Sequence, residues 1–274
     1  MPTTKINDVN LYWEVLGQEG DPLVFVHGSW GDHYNWNPVA DELSKNFRVL
    51  TYDRRGHSKS ERPPHQGSAL EDVYDLISLI EYLNFSPAHI VGNSGGAAIV
   101  LKTATIRPDV FKTLVVHEPP LFGLLKNIDE AQPMLKVVQE RIGSVVDLIA
   151  TNEYEQAAKL FVETIAFGPG AWQALPDHVK QTFIFNAPTF LDEIHDPNNL
   201  EFDLSGLLHF DKPALLTHGT ESPPFFLMAL NIISKAIPNA KRLVFEGAGH
   251  VPHMSHPQQY MQTLKQFCTS YQEV

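Results

Sequence analysis

The residues in this chain best spaced for chemistry are Gly92-Asn93-Ser94-Gly95-Gly96 and, far downstream, Gly247-Ala248-Gly249-His250. A serine hydroxyl is a poor nucleophile until a neighbouring base takes its proton. Gly-x-Ser-x-Gly serves that purpose where a strand runs into it and a helix leaves it, because the serine then sits on a sharp turn with its hydroxyl clear of the sheet. At ordinary glycine usage the five-residue pattern alone is a weak signal, so its setting has to carry the argument. Among 13 histidines, His250 follows a strand-like run and a glycine turn, which makes it the expected base. His253 and His256 lack that placement. A developing oxyanion needs two N–H groups aimed at one point. Gly95, directly after the serine, would supply one. The second is expected from His27-Gly28-Ser29-Trp30, with Ser29 the first choice and Trp30 the second. Such a set would attack an acyl carbon.

The elements that must hold these residues are legible around them. Leu23–His27 and Arg48–Tyr52 are near-continuous apolar runs, as expected of buried parallel strands. Asn37–Leu43 between them can hold a short helix. Val73, Leu76, Ile77, Ile80 and Leu83 fall at helical spacing, and Ser68 with Glu71 ahead of them makes a capping box. His89–Val91 is a further strand, running into the serine turn and a helix over about 95–106. Thr113–His117 is the next strand. Alternation of this kind predicts a mostly parallel, doubly wound α/β sheet with helices on both faces.

From Leu121 to about Leu207 no convincing buried strand occurs. Leu135, Val138, Ile142, Val145, Val146 and Ile149 recur at helical spacing, and Pro169, Pro176, Pro188 and Pro197 punctuate the stretch after them. The alternation resumes with a strand at Ala214–His218, a helix over 224–237, a strand at Arg242–Phe245 and a closing helix from Pro257 carrying Tyr260, Leu264 and Phe267 on one stripe. The expected organisation is a core of residues 1–120 and 208–274 with a helical cap, 121–207, inserted after the sixth strand. Phe122 and Trp172 in that cap are the expected substrate contacts, joined by Phe225 and Phe226, and they point to a small apolar or aromatic ester-like substrate.

His27-Gly28, Asp53 to Ser60, the Gly92–Gly96 turn and Gly249-His250 occur in the order that resembles the α/β-hydrolase superfamily, and the resemblance covers essentially the whole chain. It implies the α/β-hydrolase fold with a cap, and a serine esterase or lactonase mechanism using Ser94 and His250. A serine nucleophile sets the chain apart from the haloalkane dehalogenase and epoxide hydrolase branches, which use aspartate. The departure is in the third member. Many relatives place aspartate where this chain has Ser222, beside Glu221. Glu118, at the end of the Thr113 strand, is the other candidate, similar in placement to the acid of zearalenone-type lactonases. The crossover rule puts that strand end near Ser94, so Glu118 is expected and Glu221 is its rival. Carbon–carbon bond hydrolysis or perhydrolysis could run on the same residues, and a hydrolase-fold ligand receptor with slow turnover is the non-enzymatic alternative.

Composition narrows the partners. The formal net charge is −12, from 20 Lys and Arg against 32 Asp and Glu, which disfavours nucleic acid and anionic membrane surfaces. One cysteine, Cys268, rules out an intrachain disulfide and a cysteine metal cluster. No phosphate-binding Gly-Lys-Ser loop or His-Glu-x-x-His motif is present, so neither cofactor nor metal is expected. The polar first ten residues carry no signal-peptide core, and a cytoplasmic location is the expectation. Oligomeric state has no signature here.

Overall fold

The structure, a computed structural model, describes residues 2–196 and 202–271; Met1 and Pro197 lie outside the described residues. Eight strands form one sheet: β1 (Thr3–Ile6), β2 (Val9–Leu16), β3 (Asp21–Val26), β4 (Phe47–Tyr52), β5 (Ala88–Asn93), β6 (Phe111–His117), β7 (Ala214–Gly219) and β8 (Ala240–Phe245). Their order is β1-β2-β4-β3-β5-β6-β7-β8. Every pairing from β4 to β8 is parallel, while β1 and β2 add antiparallel at one edge. The apolar runs do not announce that hairpin. Its strands hold polar residues such as Lys5, Asn10 and Glu14 on a half-exposed edge, so neither reads as a buried parallel strand.

Alternate residues of a strand face opposite sides, and β3 shows the consequence. Val24 and Val26 belong to an apolar core with α2 (Ala69–Tyr82), α3 (Gly95–Ile106) and α8 (Pro224–Ala236). Leu23 and Phe25 belong to a second core, on the other face, with α1 (Asn37–Leu43) and the C-terminal helix Pro257–Thr269. Each fully buried side chain of this size contributes roughly 1.5–3 kcal/mol, so β3 is pinned from both sides. The helix α2 starts where its capping box requires: Ser68 N–H donates to Glu71 Oε2 at 2.9 Å and Glu71 N–H to Ser68 Oγ at 3.4 Å.

Between β6 and β7 the described chain is helical: α4 (Gln132–Ala150), α5 (Tyr154–Phe161) leading into a π-helical turn at Val162–Ala166, α6 (Ala171–Ala174) and α7 (Asp177–His195). Pro188 does not end a helix, as its place in the proline series would suggest; it lies inside α7. An internal proline forfeits a backbone hydrogen bond, and here polar side chains on either side of it hold the helix to the core. Asn186 Nδ2 donates to Gly31 O at 2.8 Å and Trp30 O at 3.2 Å, and Thr189 Oγ1 donates to Gly56 O. Among the described residues no helix is long and apolar enough to cross a membrane.

Candidate active site

The loops after β3, β5, β6 and β8 meet at the carboxyl ends of the parallel strands, where open α/β sheets bind ligands. Ser94 stands between β5 and α3 with φ 54° and ψ −125°. A non-glycine residue there costs on the order of 1–3 kcal/mol and persists only when its surroundings enforce it. They do so by close packing. A Cβ on Gly96 would lie 2.2 Å from Val26 O, and one on Gly92 would lie 2.6 Å from Gly96 O. Only glycine lets helix and strand approach so closely. The Ser94 N–H is also tied to His117 O, at 2.9 Å.

His250, in the loop after β8, is buried. Its Nδ1 lies 2.6 Å from Glu118 Oε2. An ionised carboxylate only accepts, so Nδ1 carries the proton and Nε2 is left free to take one. The imidazole plane is set by Phe226, whose ring stacks on it at 4.5 Å between centroids and 18° between planes. The backbone is held as well, Asn93 Nδ2 donating to His250 O at 2.9 Å. Asn93, the residue just ahead of the serine, thus joins the serine turn to the histidine loop. The sequence carries no signal for that contact beyond a polar residue at the end of a buried strand.

Glu118 follows β6 directly, fully buried, with φ 47°. Its Oε1 accepts from Gly219 N–H at 2.8 Å. Burial alone would push this carboxyl up. The His250 hydrogen bond, electrostatic attraction to the His117 and His250 rings and the Gly219 N–H outweigh it and hold the group at about 2. Glu118 is therefore anionic at neutral pH. Burial brings neighbouring His117 down to about 4, so that ring is neutral. Glu221 is exposed, and its N–H is bonded to Ala248 O at 3.0 Å. The structure brings Glu118 to His250 and leaves Glu221 outside.

Gly95 opens α3, where its N–H has no intrahelical partner. Ser29 lies against it: a Cβ on Gly95 would be 3.2 Å from Ser29 N and 2.8 Å from Ser29 Oγ. Trp30, at φ 67°, turns its ring away into the helical layer, stacking on Phe161 (4.8 Å) with Phe190 tilted against it at 4.9 Å. Trp172 is only 5% exposed, packed in the same apolar cluster as Trp30, Val145 and Phe183. Phe122 packs edge-to-face on Phe225 at 5.1 Å and lies 6.2 Å from Phe226, which puts it one ring beyond the imidazole's stacking partner. A cavity of about 320 Å³ opens between α4, the π-helical turn and the start of α8, lined by Met134, Val138, Arg141, Ile165 and Phe225.

A family model described as the alpha/beta hydrolase fold matches residues 21–257. The chain belongs to that family. This hydrolase is 30% identical over 162 residues to an uncharacterized hydrolase, YraK, of Bacillus subtilis (strain 168), a match covering 57% of this chain and 59% of the relative. It is 27% identical over 266 residues to a proline iminopeptidase of Heyndrickxia coagulans, covering 92% and 91% of the two chains. Among solved structures, an alpha/beta hydrolase from Sphaerobacter thermophilus superposes with a TM-score of 0.79 at 23% identity, over 97% of this chain and 99% of that one. An epoxide hydrolase from Bacillus megaterium reaches 0.80 at 21%, over 98% and 100%. Est816, described as an N-acyl homoserine lactone degrading enzyme, reaches 0.77 at 19%, over 97% and 100%. At such identities the likeness is one of fold.

Proposed function

We propose that this hydrolase cleaves a carboxylic ester or lactone through an acyl-enzyme, with Ser94 as nucleophile, His250 as general base and acid, and Glu118 as the group that orients the imidazole. The observation that carries the reading is the 2.6 Å contact between Glu118 Oε2 and His250 Nδ1. It fixes the tautomer in which Nε2 is the proton acceptor. Ser94 Oγ attacks the carbonyl carbon as its proton passes to Nε2. The oxyanion that forms is held by the N–H groups of Gly95 and Ser29. Nε2–H then protonates the leaving alkoxide, and water, activated by the same nitrogen, releases the acid.

Serine favours acyl chemistry over epoxide opening, for which the related branches use aspartate. The lactone named for Est816 and the peptide bond implied by the iminopeptidase's name are both acyl substrates. We read residues 121–207 as a cap over Ser94, with Phe122 lining the space beside Phe226 and Trp172 shaping the cap from within. The aromatic surround suits a small apolar or aromatic ester.

The test is hydrolysis of p-nitrophenyl esters by the wild type and by Ser94→Ala. Loss of the nucleophile should cost roughly 10⁶ in kcat. A loss below about tenfold would exclude the serine mechanism.

A further inference from the structure

The cavity of about 320 Å³ between α4, the π-helical turn and the start of α8 is as large as a small-ligand pocket. None of its lining residues belongs to the proposed triad or oxyanion hole. The walls are apolar, with Met134, Val138, Ile165 and Phe225 among them. Only Arg141 and Thr164 contribute polar side chains, and only Arg141 is charged. Val137, which also lines it, and Arg141 are both exposed, so the cavity opens to solvent on their side. One wall is the π-helical turn, a rare conformation that recurs at functional sites. It is tied to α4 by Arg141, whose Nη1 donates to Thr164 O at 2.6 Å. The guanidinium has no ion pair and no other hydrogen bond among the described residues. In a chain of formal net charge −12, a cation without a carboxylate thus stands at the mouth of an apolar cavity.

We propose that this cavity is a second binding site, for an apolar carboxylate whose chain enters the cavity and whose head group meets Arg141. Volume sets the length of the chain. A methylene takes about the space of a water molecule in the liquid, about 30 Å³, so the cavity holds roughly ten such groups. A straight-chain acid of about eight carbons fills it. Chemistry sets the head group, because a guanidinium presents N–H groups in a fork that matches a carboxylate. The walls offer the chain little but apolar surface, so the contact is hydrophobic along its length and ionic at one end. Phe225 packs on Phe226 at 4.7 Å between centroids, and Phe226 stacks on His250. The occupant therefore lies two aromatic rings from that imidazole. The inference does not depend on the acyl chemistry of Ser94.

The test titrates sodium octanoate, sodium butyrate and 1-octanol into the full chain by isothermal calorimetry at low salt. Octanoate should bind at one site per chain, about a hundredfold more tightly than butyrate, the effect of burying about four more methylenes. Arg141→Gln should weaken octanoate about fivefold, the upper range for an ion pair on an exposed guanidinium, and leave octanol unchanged. Val137→Trp, which narrows the mouth, should weaken octanoate and octanol alike. Octanoate that binds no better than butyrate, or that binds both variants as well as the wild type, overturns the proposal. A loss confined to Arg141→Gln marks a surface ion pair only, and a loss confined to Val137→Trp marks an uncharged ligand; either result overturns it too. Both substituted residues are exposed, and circular dichroism checks their folding. Should a variant fail to fold, the wild-type ratio of octanoate to butyrate decides alone, and a ratio near one overturns the proposal.

Discussion

Glu118 Oε2 and His250 Nδ1 lie 2.6 Å apart although 132 residues separate them in sequence. Two backbone features make the contact. Glu118 takes a positive φ of 47° as it leaves β6, and Gly219 at the end of β7 donates its N–H to the other carboxylate oxygen at 2.8 Å. The acid is thus held by its own strand and by the neighbouring one.

Replacing that carboxylate should cripple turnover without unfolding the chain. Glu118→Gln is expected to lower kcat by about 10⁴, because an amide cannot stabilise the imidazolium or enforce the same tautomer. Glu221→Gln, altering an exposed side chain, should stay within about twofold of wild type. Steady-state kinetics of both, with circular dichroism as the control for folding, checks this. A crippled Glu221→Gln beside a near-normal Glu118→Gln would reverse the assignment.

Acid should lower stability through Glu118. Glu118 has a folded value near 2 against an ordinary 4.5, so its contribution to stability is present above about pH 4.5 and lost as pH falls through about 2. For a buried group the loss is on the order of 3 kcal/mol. Urea melts of wild type and Glu118→Gln between these limits should converge as pH falls. Curves for the two proteins that stay parallel down to about pH 2 would show that the Glu118 carboxylate does not stabilise the fold.

Phe122 and Trp172 should behave differently. Phe122→Ala opens space beside Phe226 and should change the ratio of kcat/KM between small and bulky esters. Trp172, packed in the helical layer, should cost about 3–5 kcal/mol of stability on replacement by Ala. If Trp172→Ala also shifts the small-to-bulky ratio, the tryptophan reaches the substrate space; a uniform change leaves it structural.

Asn186 joins α7 to the loop that carries Ser29. It donates to Trp30 O and Gly31 O and accepts from Ser58 N–H at 2.8 Å. Asn186→Ala leaves those buried backbone groups unpaired and should cost about 2–4 kcal/mol, readable as a lower urea midpoint. It should also lower kcat more than it raises KM, because the loop carries the proposed oxyanion donor, which acts only in the transition state. An unchanged kcat in a destabilised protein would confine Asn186 to a structural role.

Local sequence determined the parts of this molecule that depend on near neighbours. The strand runs, the Ser68–Glu71 cap and the glycines around Ser94 are each set by contacts within a few residues or by a backbone shape only glycine adopts, so they can be read in one dimension. The β1–β2 hairpin could not, because its half-polar strands are ordered by pairing along a sheet edge. The choice of Glu118 over Glu221 was legible only in part, from the crossover rule. Both stand at strand ends, and only the order β5-β6-β7-β8 with the turn of each loop decides which carboxylate meets the imidazole. Pro188 reads as a break until Asn186 and Thr189 are seen bonded to loops more than a hundred residues away. Arg141 reads as one more charge on an amphipathic helix. That it bonds to Thr164 O and stands beside an apolar cavity walled by Phe225 is a property of three segments brought together, which no spacing along the chain encodes.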